Sequence, residues 1–131
     1  SIFVAGFLGL SNIFSAVCTK IIGEKKTIVF EGLSFEIENE KLNKNDKISI
    51  MIRPENIQIY KKKNASNKED FLGFIKSKIY LGSTIQYQVK IKDGPVILIN
   101  ANNSKILNFQ DFDTNEEVRV HLSKNAIYPI I

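Results

Sequence analysis

Alternation of apolar and polar residues with a period of two is the feature of this sequence that most restricts its fold. Isoleucine occupies every second position at Ile48, Ile50 and Ile52, and the same pattern resumes at Ile57. Pro54 interrupts it between the two runs. A period of two places successive side chains on opposite faces of a β-strand, with one face buried and the other in water. The pattern therefore predicts strands rather than amphipathic helices.

The same alternation recurs over residues 85–91, and the Asp93-Gly94 pair that follows has the composition of a tight hairpin turn. Pro95 then stands where the partner strand begins, a position that tolerates a missing N–H group. The partner strand, residues 96–101, is apolar on both faces and is predicted to be central. Further strands are predicted at residues 16–22, 26–30, 33–38, 72–80 and 117–122. Short strands at this spacing predict an all-β barrel or sandwich.

A polar stretch over residues 61–70 divides the chain into two β halves, residues 15–60 and 71–131. Its ten residues include lysines 61–63 and only one apolar residue, Ala65. We interpret the stretch as a linker and the lysines as part of a solvated loop rather than a phosphate-binding patch. The length of 131 residues suits one compact domain built from both halves.

The first 19 residues contain no charged side chain, which raises the question of a signal peptide or a membrane span. A secretory signal needs a basic segment before its apolar core, and a spanning helix needs about 20 mainly apolar residues. No basic segment precedes the apolar part of this stretch, and glycine, serine and asparagine interrupt its apolar run. We therefore predict neither a signal peptide nor a membrane span. We expect a short helical turn with Phe3 and Phe7 on one face, ended by Gly9.

The sequence contains no recognisable catalytic motif. It lacks the phosphate loop, the dinucleotide-binding glycine motif, the nucleophile elbow and the zinc-protease motif. One cysteine, Cys18, and one histidine, His121, are too few for a structural zinc site. Cys18 lies among apolar residues and is predicted to pack in the core, whereas the alternation places His121 on the face opposite Val118 and Val120. We therefore predict no catalytic, cofactor-binding or metal-binding residue.

The formal net charge of +4 arises almost entirely from lysines spread over both halves. Such a diffuse charge is typical of a soluble surface and does not indicate a binding site for an acidic partner. Small basic β-barrels that bind single-stranded nucleic acid place aromatic rings among basic residues on the sheet face. Here most phenylalanines fall on the apolar side of the strand patterns. Tyr60 beside Lys61 is the one close aromatic and basic pair of that kind. The sequence therefore predicts no nucleic-acid partner.

Several short segments, in this order, resemble one family. The segments are residues 3–9 (FVAGFLG), 11–14 (SNIF), 52–57 (IRPENI), 73–75 (GFI), 80–83 (YLGS) and 87–89 (YQV). They are similar to the transport-associated OB (TOBE) domain of the ATP-binding subunits of bacterial ABC importers for polyamines, iron, sulfate and maltodextrin. The amino-acid sequences of the last two segments, residues 80–83 and 87–89, are most similar to those of the spermidine/putrescine type.

The resemblance implies an all-β fold of two interlocked, five-stranded OB-like units with a short helical turn at the start. Residues 1–14 would be the remnant of a hinge after a missing nucleotide-binding domain, and residues 15–131 the TOBE domain. The residues that carry the family motifs are the candidate interface residues: Arg53, Pro54, Glu55, Gly73, Tyr80 and Gly82. Pro54 is expected to end a strand, Arg53 to pair with Glu55 or cross a dimer interface, and Gly82 to mark a tight bend.

The implied function is regulatory and not enzymatic. The domain would belong to the ATP-binding subunit of an importer, most similar to those for spermidine and putrescine, with ATP and Mg²⁺ bound in the missing domain. Its partners would be its own nucleotide-binding domain, a second copy and, indirectly, the permease subunits, at the cytoplasmic face of the plasma membrane. Two alternatives remain open: a sensor of a small oxyanion or polyamine, and an OB domain that binds nucleic acid.

Overall fold

Ten β-strands and one short 3-10 helix make up the part of the chain that the computed structural model describes, which is residues 12–38, 41–62, 70–102, 111–122 and 126–130. The strands are β1 (Asn12–Ile22), β2 (Lys25–Phe30), β3 (Leu33–Glu38), β4 (Lys47–Ile52), β5 (Ile57–Lys61), β6 (Phe71–Leu81), β7 (Thr84–Ile91), β8 (Val96–Asn102), β9 (Glu117–Leu122) and β10 (Ile127–Ile130). The 3-10 helix, η1 (Pro54–Asn56), connects β4 to β5. The predicted all-β fold is confirmed.

The strands form two five-stranded antiparallel sheets that exchange one strand each. The first sheet has the order β10-β4-β1-β2-β3, and the second has the order β5-β9-β6-β7-β8. Strand β5 follows the first four strands along the chain yet belongs to the second sheet, and β10 returns to the edge of the first. The two units are therefore interlocked, as the resemblance implied.

The two units repeat each other in their longest strands. Both β1 and β6 have 11 residues, and each pairs with two neighbours in its own sheet. Each also contains an irregularity of one residue, just after Cys18 in β1 and just after Ile75 in β6. Such a bulge increases the local twist and helps a sheet to curl. The second unit is therefore built on the plan of the first.

The loop before the fourth strand of each unit repeats as well. Asn45 donates its backbone N–H to the carbonyl of Cys18, and Asn115 donates to that of Ile75, both at 2.7 Å. Both asparagines have a φ of 72°. Asparagine adopts this left-handed region more readily than most residues do. The shared conformation and hydrogen bond identify an internal duplication, which the alternation of apolar residues alone does not reveal.

One continuous core joins both sheets. A row of phenylalanine rings crosses it, with centroids 5.3 Å apart for Phe14 and Phe30, 5.4 Å for Phe30 and Phe35, and 5.2 Å for Phe35 and Phe71. Phe71 lies on the second sheet and the other three on the first. Aromatic pairs at this spacing contribute about 0.5–1.5 kcal/mol beyond the area that they bury. Of the six phenylalanines in the described residues, five lie in the core or pack against it and Phe74 is exposed, so the predicted core placement is confirmed for these five. The predicted burial of Cys18 is confirmed as well.

The buried side chain of Asn12 links the two sheets by hydrogen bonds. Its amide nitrogen donates to the carbonyls of Ile52 and Leu98, each at 3.0 Å, and its oxygen accepts the N–H of Leu98 at 2.7 Å. Leu98 lies on β8, the edge strand of the second sheet, whereas Asn12 begins β1 in the first. A buried backbone group without a partner costs about 1–3 kcal/mol. Asn12 avoids this cost at Leu98, because it pairs both the N–H and the carbonyl on the open side of the edge strand.

The prediction that β8 is a central strand is wrong. Strand β8 pairs only with β7 and forms the edge of the second sheet. Ile97, Leu98 and Ile99 are nevertheless all buried, because β8 lies against η1 and β5 as well as against the core. Its apolar character on both faces thus reflects packing against segments outside its own ladder of hydrogen bonds.

The boundaries differ from the sequence predictions at both ends of the chain. Strand β1 begins at Asn12, so residues 12–14, predicted as part of a hinge, belong to the first sheet. Strand β10 was not predicted, because it has four residues, includes Pro129 and is too short to show alternation. The predicted helical turn at Phe3 and Phe7 and most of the predicted linker lie outside the described residues, and the division into halves at residues 61–70 stays a prediction.

Replacement of Asn12 by alanine is expected to lower the free energy of unfolding by about 2 kcal/mol, because Leu98 and Ile52 lose buried hydrogen bonds. Denaturant unfolding followed by circular dichroism measures the change. Asn43→Ala, at an exposed loop position, serves as the control and should lie within about 0.5 kcal/mol of the wild type. Equal stability of the two variants would contradict a linking role for Asn12.

Candidate functional site

The six predicted motif residues occupy two places in the fold. Arg53, Pro54 and Glu55 lie where the chain crosses from the first sheet to the second, and Pro54 and Glu55 belong to η1. Gly73 and Tyr80 lie on β6, and Gly82 begins the turn between β6 and β7. The structure therefore does not bring all six into one cluster.

The crossover shows why a proline suits this position. Pro54 is buried and lacks an N–H group, so it ends the ladder of β4 and starts the 3-10 turn. The predicted ion pair between Arg53 and Glu55 is wrong: among the described residues these two side chains form no salt bridge. The Arg53 guanidinium lies instead over the ring of Tyr128 on β10, 5.5 Å from its centre. The exchange of β10 brings that ring beside the end of β4. A contact of Arg53 across a dimer interface stays a prediction.

The two motif glycines of β6 and its turn have separate structural reasons. A Cβ atom at Gly73 would lie 2.9 Å from Cγ1 of Val89 and 3.0 Å from the carbonyl oxygen of Lys90, so the neighbouring strand leaves no room for a side chain. Gly82 has a φ of 70° in a two-residue hairpin turn, a conformation that glycine adopts without strain. The predicted tight bend at Gly82 is confirmed.

Tyr80 takes part in a polar network centred on Asp111, here called the Asp111 cluster and consisting of Lys78, Tyr80, Tyr87 and Asp111. The carboxylate of Asp111 accepts hydrogen bonds from the hydroxyl groups of Tyr80 and Tyr87, each at 2.9 Å. It also accepts two from Nζ of Lys78, at 3.1 and 3.2 Å. The Tyr87 hydroxyl in turn accepts the backbone N–H of Phe112 at 3.2 Å. Four donated bonds fix the carboxylate and hold the end of the β6–β7 hairpin against the loop before β9.

The cluster shifts the acidity of its members. Partial burial disfavours the charged carboxylate of Asp111, but the hydrogen bonds from Tyr87, Tyr80 and Lys78 outweigh it and hold its pKa below the usual value. Burial chiefly, together with the neighbouring carboxylate, raises the pKa of Tyr87. The hydrogen bond to Asp111 raises the pKa of Lys78. At neutral pH Asp111 is therefore a carboxylate, Lys78 an ammonium group and Tyr87 a neutral phenol.

A second network extends the cluster along the same edge. Nζ of Lys61 pairs with Glu116 at 2.8 Å, donates to the carbonyl of Asp111 at 3.3 Å and lies 4.9 Å from the ring centre of Phe112. Burial opposes ionisation of Glu116, yet the hydrogen bond from Lys61 prevails and lowers its pKa. Lys62 pairs with Glu117 at 2.7 Å. The interpretation of lysines 61–63 as part of a solvated loop is wrong for Lys61, which ends β5 and is partly buried beside Glu116. Lys62 lies beyond the strand and its side chain is 54% exposed, as expected for a solvated position, and residue 63 lies outside the described residues.

The end of the hairpin exposes three large side chains, of which Ile79 and Leu81 share one face and Tyr80, a member of the Asp111 cluster, lies on the other. Ile79, Tyr80 and Leu81 are 52%, 56% and 53% exposed. The cross-strand partners of Ile79 and Leu81 on β7 are Gln86 and Thr84, so this face of the hairpin end carries no charge. Exposed apolar side chains on a rigid, uncharged face are typical of a protein contact. The arrangement suits recognition and offers no activated nucleophile.

His121 has a partner that sequence reasoning missed. The alternation correctly places it opposite Val118 and Val120 on β9, but its side chain is only 24% exposed. Its Nδ1 lies 2.8 Å from a carboxylate oxygen of Asp70, which is almost fully buried. Because the two residues are 51 positions apart in the chain, no local sequence motif indicates the pair. Among the described residues, no three cysteine, histidine or acidic side chains come together in a way that suits a metal ion.

A groove crosses the outer face of the first sheet. Its volume is about 610 Å³, and its lining includes Ser15, Lys47, Ser49 and Ile130. Ser15 and Ser49 are direct partners on β1 and β4. Two hydroxyl groups and one ammonium group therefore line one side of the groove. In the part of the chain that is described, no helix has the length and apolar character needed to cross a membrane.

Comparison with known proteins places these features in a family context. The family model for the TOBE domain matches residues 50–129. The chain is 26% identical over 120 residues to the spermidine/putrescine import ATP-binding protein PotA of Photobacterium profundum, and 24% identical over 129 residues to PotA of Escherichia coli K12. These matches cover 90% and 97% of the chain but 31% and 33% of the relatives. The chain thus spans about a third of the length of the curated relatives that it matches.

A solved structure with a similar fold is that of the cytoplasmic molybdate-binding protein ModG with molybdate bound. The TM-score is 0.70 at 8% sequence identity, over 90% of this chain and 94% of the other. At that identity the likeness concerns the fold, and it agrees with two OB-like units in one chain.

Acid is expected to weaken the fold through the Asp111 cluster. The folded-state pKa of Asp111 lies below the ordinary value of 3.8, so its stabilisation is present above about pH 4 and is lost as the pH falls through the lower, folded-state value. Asp111→Asn should lower the unfolding free energy at pH 7 by no more than about 1 kcal/mol, because the side chain is 35% exposed. The variant should also lose less stability between pH 5 and pH 3 than the wild type does.

The matched control for this measurement is Asp113→Asn, an exposed carboxylate two residues away. Urea unfolding at a series of pH values should give the same curve for Asp113→Asn and for the wild type. If both variants changed the pH dependence equally, the cluster would not be the cause.

Proposed function

Because the chain belongs to the TOBE domain family, a regulatory module rather than an ATP-hydrolysing domain, we propose that it is the C-terminal regulatory domain of an importer ATP-binding subunit. The observation that supports this proposal is the family match over residues 50–129, together with PotA relatives that cover nearly the whole chain. Those relatives are named for spermidine and putrescine import, and we propose polyamines as the transported solutes.

In this proposal the domain pairs with a second copy and holds two ATPase domains together while they open and close. A symmetric contact of this kind buries about 1,600 Å² in total. A ligand or regulator that favoured one arrangement would shift the transport equilibrium by about 1–3 kcal/mol of coupling free energy. ATP and Mg²⁺ would bind to the nucleotide-binding domain, and permease subunits would be indirect partners. The location would be cytoplasmic, peripheral to the inner face of the membrane.

The end of the β6–β7 hairpin is the surface that we propose for the pairing. Ile79 and Leu81 project from an uncharged face, and such a face can meet its own copy without repulsion between like charges. The Asp111 cluster holds the hairpin end in place through Lys78 and Tyr80, so little conformational entropy is lost on contact. The buried centre of an interface is more apolar than its rim and is depleted of charged residues, and the face of Ile79 and Leu81 has this character.

The proposal is tested in an importer with a chimeric PotA subunit. In the chimera, this chain replaces the third of PotA to which it is similar. We expect spermidine uptake coupled to ATP hydrolysis, and we expect Leu81→Lys to lower uptake per ATP hydrolysed by about fivefold or more, because the added charges repel each other across the contact. Ile22→Lys is the matched control. Ile22 is 62% exposed at the end of the β1–β2 hairpin, the equivalent position in the first unit, and its substitution should leave coupling unchanged.

Two outcomes would contradict the proposal. One is an importer with this chain that takes up no more spermidine than one lacking the matching third, and the other is binding of fluorescent ATP by the isolated chain. Equal effects of Leu81→Lys and Ile22→Lys would contradict the hairpin surface alone and leave the regulatory role in place.

A second candidate function is the sensing of a small oxyanion. The groove on the first sheet presents the hydroxyl groups of Ser15 and Ser49 and the ammonium group of Lys47, which are donors suited to an oxyanion. A protein with a similar fold, ModG, is described as molybdate-binding. The described residues contain no acidic cluster in this groove that would suit a polyamine cation, so an oxyanion is the better-supported ligand.

Calorimetric titration with molybdate, sulfate and spermidine tests the second candidate. A sensor should release or absorb heat with molybdate or sulfate, and Lys47→Gln should weaken binding about tenfold by removing the charged donor. Lys44→Gln, at a nearby exposed loop position, is the control for net charge and should change little. Absence of heat with all three compounds would remove this candidate.

A further inference from the structure

Arg119 lies on the outer face of the second sheet, on β9, between the edge strand β5 and the middle strand β6. On β9 the side chains of Val118 and Val120 point into the core, so Arg119 points to the opposite face. Its direct partners across the ladder are Tyr60 on β5 and Leu72 on β6. The guanidinium group is therefore carried by a central strand and flanked on both sides by residues of regular sheet.

The Nε atom of Arg119 is buried and has no hydrogen-bond partner in the structure. Across the described part of the chain, no salt bridge involves this side chain. The guanidinium group stays charged at all physiological pH values and offers five N–H donors. A buried donor of a charged group that stays unsatisfied costs more than the 1–3 kcal/mol typical of a neutral one. The terminal nitrogens Nη1 and Nη2 are not buried and form no hydrogen bond within the described residues, so the guanidinium group can receive an acceptor through them.

Arg119 also lines a shallow depression of about 470 Å³. The other lining residues are Lys61, Lys62, Glu116 and Glu117. Those four neutralise each other in two pairs, Lys61 with Glu116 at 2.8 Å and Lys62 with Glu117 at 2.7 Å. Among the lining residues, Arg119 is thus the cation without a carboxylate partner, and the depression carries one uncompensated positive charge.

We propose that this depression binds a single carboxylate group through Arg119. One negative charge balances the one free positive charge. The planar guanidinium fork matches the two oxygens of a carboxylate better than an ammonium group does. Because the other four charged side chains of the lining are already paired, a second negative charge on the anion would have no partner there. The site is distinct from the groove on the first sheet and from the hairpin end, and the inference goes beyond the regulatory role.

The carboxylate can belong to a free small acid or to an acidic side chain of another protein, and the two sources are separated by the probes. The chain has two arginines, Arg53 and Arg119, so a ¹⁵N-labelled sample has two Nε–H resonances. We expect acetate, propionate or a short end-blocked peptide with one glutamate to shift the Arg119 resonance saturably. Arg53 lies over Tyr128, outside the depression, and serves as the control within the same sample. Tighter binding of the peptide would indicate a protein side chain, and tighter binding of acetate or propionate a free acid.

Three variants and a competing ion complete the test. Arg119→Lys keeps the charge but removes the fork, and it should bind acetate about tenfold more weakly, as followed by backbone amide shifts of Glu117. Lys92→Gln removes one exposed charge elsewhere and should bind as the wild type does. His121→Gln probes the neighbouring residue on the same face and should also leave affinity unchanged. Sulfate at matched ionic strength should shift Arg119 less than acetate does.

The proposal is overturned if the Arg119 resonance of the wild type shows no saturable shift, or if Arg53 shifts equally. It is also overturned if sulfate binds as tightly as acetate. Equal acetate affinity of the wild type and a folded Arg119→Lys variant would have the same consequence. Because the first readout uses the wild type alone, it decides the question even where the variant fails to fold.

Discussion

The link between Asn12 and Leu98 is the interaction on which the arrangement of the two sheets depends. Strand β8 lies at the edge of the second sheet, where its backbone groups have no strand partner on one side. Asn12 satisfies both the N–H and the carbonyl of Leu98 and also bonds the carbonyl of Ile52. Because buried polar groups must be paired, this contact allows the edge strand to stay buried against η1 and fixes one unit relative to the other.

The two units share a plan but differ in their polar side chains. In each, an asparagine with the same left-handed backbone conformation bonds to the bulged long strand. The acidic residue that follows bonds to the backbone N–H three residues before it, Asp46 to Asn43 and Glu116 to Asp113. Only Glu116 of these two also pairs with a lysine in the described residues. The second unit also carries the Asp111 cluster and the depression beside Arg119, which are side-chain features added to a repeated backbone plan.

The candidate site was predictable where it depends on local sequence. Pro54 and Gly82 act through their own backbone conformations, and the segments around them sufficed to identify the family. Partners across strands were not predictable, because they depend on register and sheet order. Tyr80 bonds to Asp111, 31 residues away, and Arg53 lies over Tyr128 rather than pairing with its neighbour Glu55.

The sequence by itself determined where the described strands other than β10 lie, and which side of each alternating strand faces the core. Alternation is a local property, set by the pleat of the backbone, and needs no knowledge of neighbours. Only the tertiary structure decided that β5 and β10 are exchanged, that β8 is an edge strand, and that Arg119 lies beside two closed ion pairs. Those outcomes depend on contacts between residues far apart in the chain, and their free energies are gained only when both sheets close around one core.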